Sequence, residues 1–295
     1  METRLVRAFL AVADEQHFGR AAQRLHLAQP ALSNQVKTLE QQLGVSLFDR
    51  TTRRVELTAA GLRFRDHARR IVAATDHAAL DMERVATGRA GRVSAGFIGT
   101  ATYDLLPRLA RAVREQLPDV ELRLRGELLS PRLLEGLDAF EFDLVVHRPL
   151  AATPEGIETF PLREERLVAA LPAGHALARE PEVHLARLAG EPFVVHPSGV
   201  SAMHELVLRA CADAGFRPPS LTEVAETATL AAFVAAGLGV ALVPEPVRSL
   251  ALEGVVYVPL RAAPEVALLV SVRAGERVGP VGGLVDLLEA ITAWA

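Results

Sequence analysis

The sequence predicts a protein in three parts: an N-terminal all-α winged helix-turn-helix, a long linker helix and a C-terminal α/β domain of two lobes. Apolar residues recur at helical spacing through the first ninety residues, and a heptad pattern follows. Beyond residue 90, apolar runs alternate with amphipathic stretches, as in α/β folds. The predicted bounds are 1–58, 59–89 and 90–295, with lobe I at 90–161 and 266–295 and lobe II at 162–265.

The composition is that of a globular protein, because 50% of the 295 residues are hydrophobic and 23% are charged. A single cysteine, Cys211, excludes an internal disulfide and a paired-cysteine zinc site. No apolar run reaches the roughly 18 residues of a membrane-spanning helix, and the N-terminus has no signal-peptide core. We therefore expect a cytoplasmic protein with no membrane partner and no metal.

Charge is distributed unevenly along the chain. Residues 1–90 carry 14 Lys and Arg against 10 Asp and Glu, whereas residues 91–295 carry 18 against 26. A basic N-terminal part on an acidic body indicates an anionic partner for the first part only.

The N-terminal part shows the pattern of a winged helix-turn-helix. Leu32, Val36 and Leu39 give the third helix an inward face, and Gly44 ends it as a C-terminal cap. Two helices joined by a short turn, followed by a small hairpin, form this motif. The predicted elements are helices around 5–12, at 20–25 and at 30–43, and strands at 46–48 and 54–57.

One long helix is predicted from Thr58, a plausible N-cap, to about Thr87. Its apolar positions repeat with a 4-3 spacing, which is typical of a helix that pairs with a second copy. The alternative is a helix that packs on its own domain. The seam consists of Phe64, Ala68, Ile71, Thr75, Ala78, Met82 and Val85.

The remaining chain alternates strand and helix patterns, which predicts mainly parallel sheets with enough strands for two. The predicted strands cover 92–98, 120–127, 142–147, 166–171, 193–196, 221–225, 240–243, 255–258 and 267–272. The predicted helices cover 104–116, 131–136, 202–214, 230–236 and 283–293.

Residues 18–61 carry five fragments in order: AAQRL, QPALSNQV, LEQQLG, LFDR and LTAAG. Together they closely resemble the N-terminal domain of LysR-type transcriptional regulators. Looser similarity in GFIGTATYDLLPRL, LPDVELRL and AAGLGVALVPE extends the resemblance over the whole chain. One departure is Ala28, where the family usually has a capping Ser or Thr, whose loss costs about 0.5–2 kcal/mol.

The resemblance implies a sequence-specific DNA-binding transcriptional regulator, and not an enzyme, whose activity a small-molecule effector modulates. It also implies that the C-terminal domain has a periplasmic-binding-protein-like fold and binds the effector. The implied partners are double-stranded DNA, further copies of the chain in a homo-dimer or homo-tetramer, and RNA polymerase.

The candidate DNA-reading residues lie on a polar face of the third helix and in the basic turn after it. Amide side chains pair with adenine, and basic side chains bind phosphates. A polar helix face is otherwise merely solvated, and the resemblance favours base readout. The candidates are Gln29, Pro30, Ser33, Asn34, Lys37, Arg53 and Arg54.

The candidate effector residues follow predicted strands, because ligands of two-lobed α/β domains bind at the carboxyl ends of strands. Each one alone is explained as a helix cap or a solvated loop residue, and for Arg148 exposure is the common outcome. Together they favour a small carboxylate and no other cofactor. The first-lobe segment resembles regulators of aromatic degradation, which implies an aromatic acid or a muconate-like diacid. The candidates are Gly99, Thr100, Thr102, Ser130, His147, Arg148, His196, Ser198, Ser201 and Thr227.

Two alternatives from other classes are a small-solute-binding protein and an α/β enzyme without a role on DNA. The missing signal peptide and the N-terminal domain argue against the first. Against the second, the sequence contains no GxSxG, GxxxxGK[ST], HExxH or complete GxGxxG motif. Cys211 lies in an amphipathic stretch and is interpreted as a core residue.

Overall fold

A computed structural model describes residues 1–50, 55–86, 91–150 and 152–293 of the chain. It divides the chain into two units, Met1–Gly88 and Arg89–Ala295. The bounds predicted for the three parts and the two lobes stay a prediction. No helix within the described ranges is long and apolar enough to cross a membrane.

The first unit contains the predicted helix-turn-helix and wing. Phe9 lies at its centre, with ring centroids 5.3 Å from Phe48 of the wing and 5.1 Å from Phe64. The wing strands pair antiparallel, with Phe48 opposite Leu57. The elements are α1 (Thr3–Glu15), α2 (Phe18–Arg24), α3 (Gln29–Leu43), β1 (Phe48–Arg50), β2 (Val55–Leu57) and α4 (Ala59–Ala86).

Specific caps set the ends of these helices. Gly44 has a φ of 70° and ends α3 as predicted, because a left-handed residue is accessible to glycine at little cost. Nδ1 of His17 accepts the backbone N–H groups of Gly19 and Arg20 at 3.0 and 3.2 Å, which caps α2. Oγ1 of Thr58 accepts the N–H of Gly61 at 2.9 Å, which confirms it as the cap of α4.

The first half of the predicted heptad seam packs inside its own unit. Ala68 is fully buried, and Phe64 and Ile71 pack against the same core as α1. The alternative of a helix that packs on its own domain therefore holds for Ala68, whereas Phe64 and Ile71 are only half-buried, and the predicted pairing of α4 with a second copy stays a prediction. Farther along, Met82 is 63% exposed and remains available to a second copy. The side chain of Val85 lies outside the described residues.

The second unit is an α/β domain. Two short 3₁₀ turns, Leu185–Leu188 and Glu245–Leu250, interrupt its regular elements. Its strands are β3 (Arg92–Ile98), β4 (Glu121–Leu128), β5 (Leu144–His147), β6 (Ile157–Pro172), β7 (Phe193–Val195), β8 (Leu221–Glu223), β9 (Ala241–Pro244), β10 (Val255–Pro259) and β11 (Glu265–Arg273). Its helices are α5 (Gly99–Thr102), α6 (Leu105–Gln116), α7 (Ser130–Asp138), α8 (Ala202–Asp213), α9 (Thr227–Ala235) and α10 (Gly279–Thr292).

Two long strands connect the lobes. Strands β4, β3 and β5 are parallel, but β11 pairs antiparallel with both β5 and β6. The first part of β6 pairs with β11, and its last part pairs antiparallel with β9 and β10. The expectation of mainly parallel sheets is therefore wrong, because β6 and β11 run through the boundary between the lobes. Each lobe keeps its own apolar core, around Phe97 in lobe I and Phe193 in lobe II.

Candidate DNA-reading helix and effector crevice

The polar face of α3 is free of internal partners. Gln29, Pro30, Asn34 and Lys37 are exposed, and Ser33 is half-buried. In the described part of the chain, none of their side chains forms a hydrogen bond or an ion pair with another residue. On the opposite side, Leu32, Val36 and Leu39 are fully buried. The helix therefore presents a solvent-facing polar surface that the fold does not need for its own stability.

The basic turn cannot be compared with its prediction, because Arg53 and Arg54 lie outside the described residues. At the start of α3, Ala28 makes no side-chain cap hydrogen bond, because its methyl group has no acceptor atom. The N-terminal N–H groups of this helix are therefore unoccupied by a cap and are suited to a phosphate.

The strand ends of lobe I bring three candidate effector residues together. Thr100 follows β3, Ser130 follows β4 and Arg148 follows β5. Because these parallel strands end at the same edge of the sheet, their following residues meet. All three residues are at least 98% buried.

Arg148 is the centre of this edge. Its guanidinium donates to Oγ1 of Thr100 from Nε at 3.3 Å and from Nη2 at 3.0 Å, and its Nη1 donates to the carbonyl of Ala267 at 3.2 Å. Its backbone N–H donates to Oγ of Ser130 at 3.0 Å. The expectation of an exposed arginine is wrong, since Arg148 is completely buried. The reason is that hydroxyl, carbonyl and carboxylate acceptors surround its guanidinium.

Glu165 neutralises the charge of Arg148. Its Oε2 accepts from Nη2 of Arg148, and its Oε1 accepts from Nε of Arg163 at 2.8 Å. Arg163 in turn donates to Asp104 at 2.7 Å. Burial lowers the pKa of Arg148, and the carboxylate of Glu165 opposes this shift. The result is a row of alternating charges in which neither arginine is unpaired.

His147 contacts the backbone of Arg148 and the neighbouring strand β11. Its Nδ1 lies 2.8 Å from the carbonyl oxygen of Arg148 and its Nε2 lies 2.8 Å from Oγ of Ser271, which is 2.7 Å from Oγ1 of Thr159. Burial lowers the pKa of His147. The neutral ring therefore donates from Nδ1 and accepts at Nε2, so both nitrogens are used within the protein.

Thr102 holds a neighbouring acid, Glu127, which the sequence analysis did not single out. Its Oγ1 accepts the N–H of Glu127 at 3.2 Å and donates to the carbonyl of Ile98 at 3.2 Å. The carboxylate of Glu127 accepts the hydroxyl of Tyr103 and, at 2.9 Å, the N–H of Thr227. Thr102 is thus a support for Glu127, which links lobe I to the start of α9.

The candidates from lobe II fall into two groups. His196 and Thr227 are buried, and within the described residues neither ring nitrogen of His196 nor the hydroxyl of Thr227 has a hydrogen-bond partner. Ser201 is buried and precedes α8 without capping it, whereas Ser198 is exposed. Gly99 meets this group from lobe I, because a Cβ there would lie 2.6 Å from Oγ1 of Thr227.

A cleft of about 670 Å³ opens between the two lobes. Pro149 and Leu150 line it from lobe I, and Val200 and Ser201 line it from lobe II. Val266 and Ala267, whose carbonyls accept from Arg148, also line it. The lining is largely apolar and further includes the charged residues Glu205, Arg209 and Glu265. A small molecule with an apolar body and a charged group therefore fits this space.

Two family models cover most of the chain. Residues 3–62 match the bacterial regulatory helix-turn-helix protein model of the lysR family, and residues 86–291 match the LysR substrate binding domain. The second match alone exceeds half of the chain. Both matches agree with the two units of the structure.

Curated relatives match over most of their length. The transcriptional regulator AlsR of Bacillus subtilis is 38% identical over 252 residues, which is 85% of this chain and 82% of AlsR. The regulator XapR of Escherichia coli is 34% identical over 291 residues, covering 99% and 97% of the two chains.

Solved structures match over the full length. CbnR, a LysR family transcriptional regulator, aligns with a TM-score of 0.76 at 26% identity and covers 98% of this chain and 99% of its own. CbnR in complex with its target DNA gives the same TM-score and identity over 99% and 100% of the chains. Full-length BenM is 30% identical, with a TM-score of 0.58 over 100% and 97%. The chain therefore belongs to the LysR family: it is a DNA-binding, oligomeric transcriptional regulator with an effector-binding domain, and not an enzyme.

Proposed function

We propose that this regulator acts in the cytoplasm and that a small carboxylate, bound in the crevice between the two lobes, modulates its binding to DNA. The observation that carries the proposal is the direction of the hydrogen bonds around Arg148. The proposed effector contacts are Thr100 and Ser130, with the apolar cleft holding the rest of the ligand.

Hydrogen-bond direction leaves both hydroxyls with a proton to donate. Oγ1 of Thr100 accepts two N–H groups from Arg148, and Oγ of Ser130 accepts the backbone N–H of the same residue. Among the described residues, neither hydroxyl has an acceptor for its own proton. A buried hydroxyl with an unused proton favours a ligand that brings an acceptor oxygen.

A carboxylate suits these donors better than a neutral oxygen does. Hydrogen bonds to a charged acceptor are roughly twice as strong as neutral ones. The charge of Arg148 is neutralised by Glu165, so we infer that hydroxyl dipoles, and not a free arginine, bind the anion.

On DNA, we propose that Gln29, Ser33, Asn34 and Lys37 read base edges, with Pro30 against a thymine methyl and Arg53 and Arg54 on the phosphates or in the minor groove. Two copies would read half-sites about one helical turn apart. The choice between dimer and tetramer, and a contact with RNA polymerase, stay predictions. The effector changes DNA binding only as far as its affinity differs between the conformations of the two lobes.

The test compares two substitutions at Thr100. Thr100→Val removes the hydroxyl, and Thr100→Ser keeps it. We expect benzoate to shift the melting temperature and the promoter footprint of the wild type and of Thr100→Ser, but not of Thr100→Val. Because Thr100→Val also deprives Arg148 of an acceptor, it should cost about 1–3 kcal/mol of stability.

The exposed Thr222 of β8 provides a matched control, since Thr222→Val makes the same substitution on a strand that pairs with β7 in lobe II. Equal responses of wild type and Thr100→Val would remove Thr100 from the site. A response lost equally in Thr222→Val would show that the effect is not specific to the crevice.

A further inference from the structure

We propose that the crevice is bipolar and that its second end, formed by Glu127, His196 and Thr227, selects a carboxylate that also carries a protonated nitrogen group. This inference rests on the proposed carboxylate site at Thr100 and Ser130. It replaces the diacid class of effector with an amino acid-like class, in which an ammonium group accompanies the carboxylate.

The carboxylate of Glu127 is held at the boundary between the lobes. It accepts the N–H of Thr227 in lobe II at 2.9 Å and the hydroxyl of Tyr103 in lobe I. The backbone of Glu127 has a φ of 56°, in the left-handed region that a non-glycine residue seldom adopts. Thr102 holds this conformation by accepting the N–H of Glu127.

The negative charge of Glu127 has no cationic partner in the described chain. Its two known donors, Tyr103 and Thr227, are neutral groups, so both carboxylate oxygens keep a lone pair for a further donor. Glu226, directly before α9, adds a second negative charge nearby. The pKa of Tyr103 is raised by burial, by its bond to Glu127 and by the charges of Glu127 and Glu226, which agrees with an acidic environment.

Two buried polar side chains lie next to this carboxylate. Oγ1 of Thr227 is completely buried and has no hydrogen-bond partner among the described residues, whereas the ring of His196, 6% exposed, lies near the backbone carbonyls of Val224 and Ala225. Native proteins satisfy nearly all buried polar atoms, so the free hydroxyl of Thr227 and the remaining ring nitrogen of His196 indicate a ligand. Burial lowers the pKa of His196, against the carbonyls of Val224 and Ala225 and the charge of Glu127. Its neutral ring therefore offers one acceptor nitrogen.

Gly99 shows that this end and the carboxylate end are neighbours. A Cβ at position 99 would collide with the carboxylate of Glu127 and lie 2.6 Å from Oγ1 of Thr227. Both groups therefore lie against the residue that directly precedes Thr100. A ligand that reaches from the Thr100 hydroxyl to Glu127 is consequently a small molecule.

A protonated nitrogen matches this end, and a second carboxylate does not. An ammonium group has three donors, which suit an oxygen of Glu127, Oγ1 of Thr227 and the acceptor nitrogen of His196. A second carboxylate at this end would face Glu127 and Glu226, and Arg148, the arginine of the carboxylate end, already pairs with Glu165. Like charges at such distances disfavour binding of the diacid.

The test uses matched pairs of probes: succinate with 4-aminobutyrate, and terephthalate with 4-(aminomethyl)benzoate. Within each pair the body is the same, and one carboxylate is replaced by a protonated aminomethyl group. By calorimetry on the full-length protein, we expect each amino acid to bind at least about tenfold more tightly than its diacid, as hydrogen bonds to charged groups allow. Glu127→Gln keeps the size of the side chain and should remove or reverse this preference.

Two further variants keep the result interpretable. Glu121→Gln removes an exposed acid of the same strand, which pairs with Arg92, and should leave the preference unchanged. Thr227→Ala removes the orphan hydroxyl and should weaken the amino acids several-fold without affecting the diacids. This second variant tests the site independently of whether Glu127→Gln folds.

The outcomes separate this inference from the function on which it rests. Wild-type protein that binds the diacids at least as well as the amino acids, or a preference that Glu127→Gln leaves intact, overturns the bipolar crevice. If the bipolar crevice is overturned but Thr100→Val abolishes the binding of both diacids and amino acids, the proposed carboxylate site itself is still supported. If no probe binds, or if Thr100→Val changes nothing, the carboxylate site fails and the bipolar crevice fails with it.

Discussion

Helix α3, the candidate DNA-recognition helix, and the crevice both have polar side chains, but those of α3 are exposed and those of the crevice are buried. On α3, Gln29 and Lys37 are exposed and have no internal partner in the described chain. In the crevice, Thr100 and Arg148 are buried and hydrogen-bonded to each other. Exposed side chains can be exchanged without loss of stability, whereas Thr100 and Arg148 contribute to stability and, as we propose, Thr100 also to ligand binding. A substitution should therefore separate binding from folding on α3 but not in the crevice.

The first way to test this contrast is to remove the carboxylate of Glu165, which should have the largest effect. Glu165→Ala leaves the fully buried Arg148 without its counter-charge and takes one acceptor from Arg163. Breaking one side of a buried ion pair costs about 3–5 kcal/mol. We expect urea unfolding of the full-length protein to show that loss in the transition of the second unit.

The adjacent acid provides a control for this change. Glu164 is exposed, so Glu164→Ala should shift the same unfolding transition by less than about 0.5 kcal/mol. Equal unfolding midpoints for Glu164→Ala and Glu165→Ala would contradict the view that the crevice depends on its charge row for stability.

On the recognition helix, the double substitution Gln29→Ala and Ser33→Ala should leave the melting temperature unchanged and reduce binding to the native promoter. Each lost base contact costs about 1–3 kcal/mol of discrimination, and binding to unrelated DNA should change little. Fluorescence anisotropy with both DNAs measures the two effects. Gln42→Ala, exposed near the end of the same helix, is the matched control. Wild-type promoter affinity in a folded double variant would refute the readout.

The local architecture could be predicted because it follows from nearby residues. The apolar spacing of Leu32, Val36 and Leu39 gave α3 its buried face, and Gly44 ended the helix, since these signals act within a few residues. The hydroxyls of Thr100 and Ser130 were also located correctly next to strand ends, because parallel strands bring successive ends to one edge.

Other features depend on partners that lie far along the chain. The burial of Arg148 requires Glu165 on a different strand, and no spacing rule connects the two. Glu127 lies within a strand pattern, and its left-handed backbone, which turns its carboxylate toward Thr227, has no glycine or asparagine to signal it. The antiparallel pairing of β6 with β11 arises because both strands run through the boundary between the lobes. The alternation of strand and helix patterns in the sequence does not predict this pairing.

The two buried histidines of the crevice offer a smaller test of the contrast. Burial is the main reason that the pKa values of His147 and His196 are lowered, and the charge of Arg148 adds to it in both cases. In the unfolded chain a histidine titrates near pH 6.5. Between the lowered native pKa and about 6.5, the unfolded state therefore binds more protons than the native state. Stability rises with pH through this window and falls as the pH drops below about 6.5.

His147→Gln should flatten this pH dependence, because an amide does not titrate but can still donate to the carbonyl of Arg148 and accept from Ser271. We expect wild-type stability to fall between pH 7 and pH 5 by up to about 1.4 kcal/mol per pH unit for each histidine, and less in the variant. Urea unfolding across this range measures the slope, with His184→Gln, at an exposed position, as control. The same slope in His147→Gln and in wild type would show that protonation of His147 does not contribute to the loss of stability at low pH.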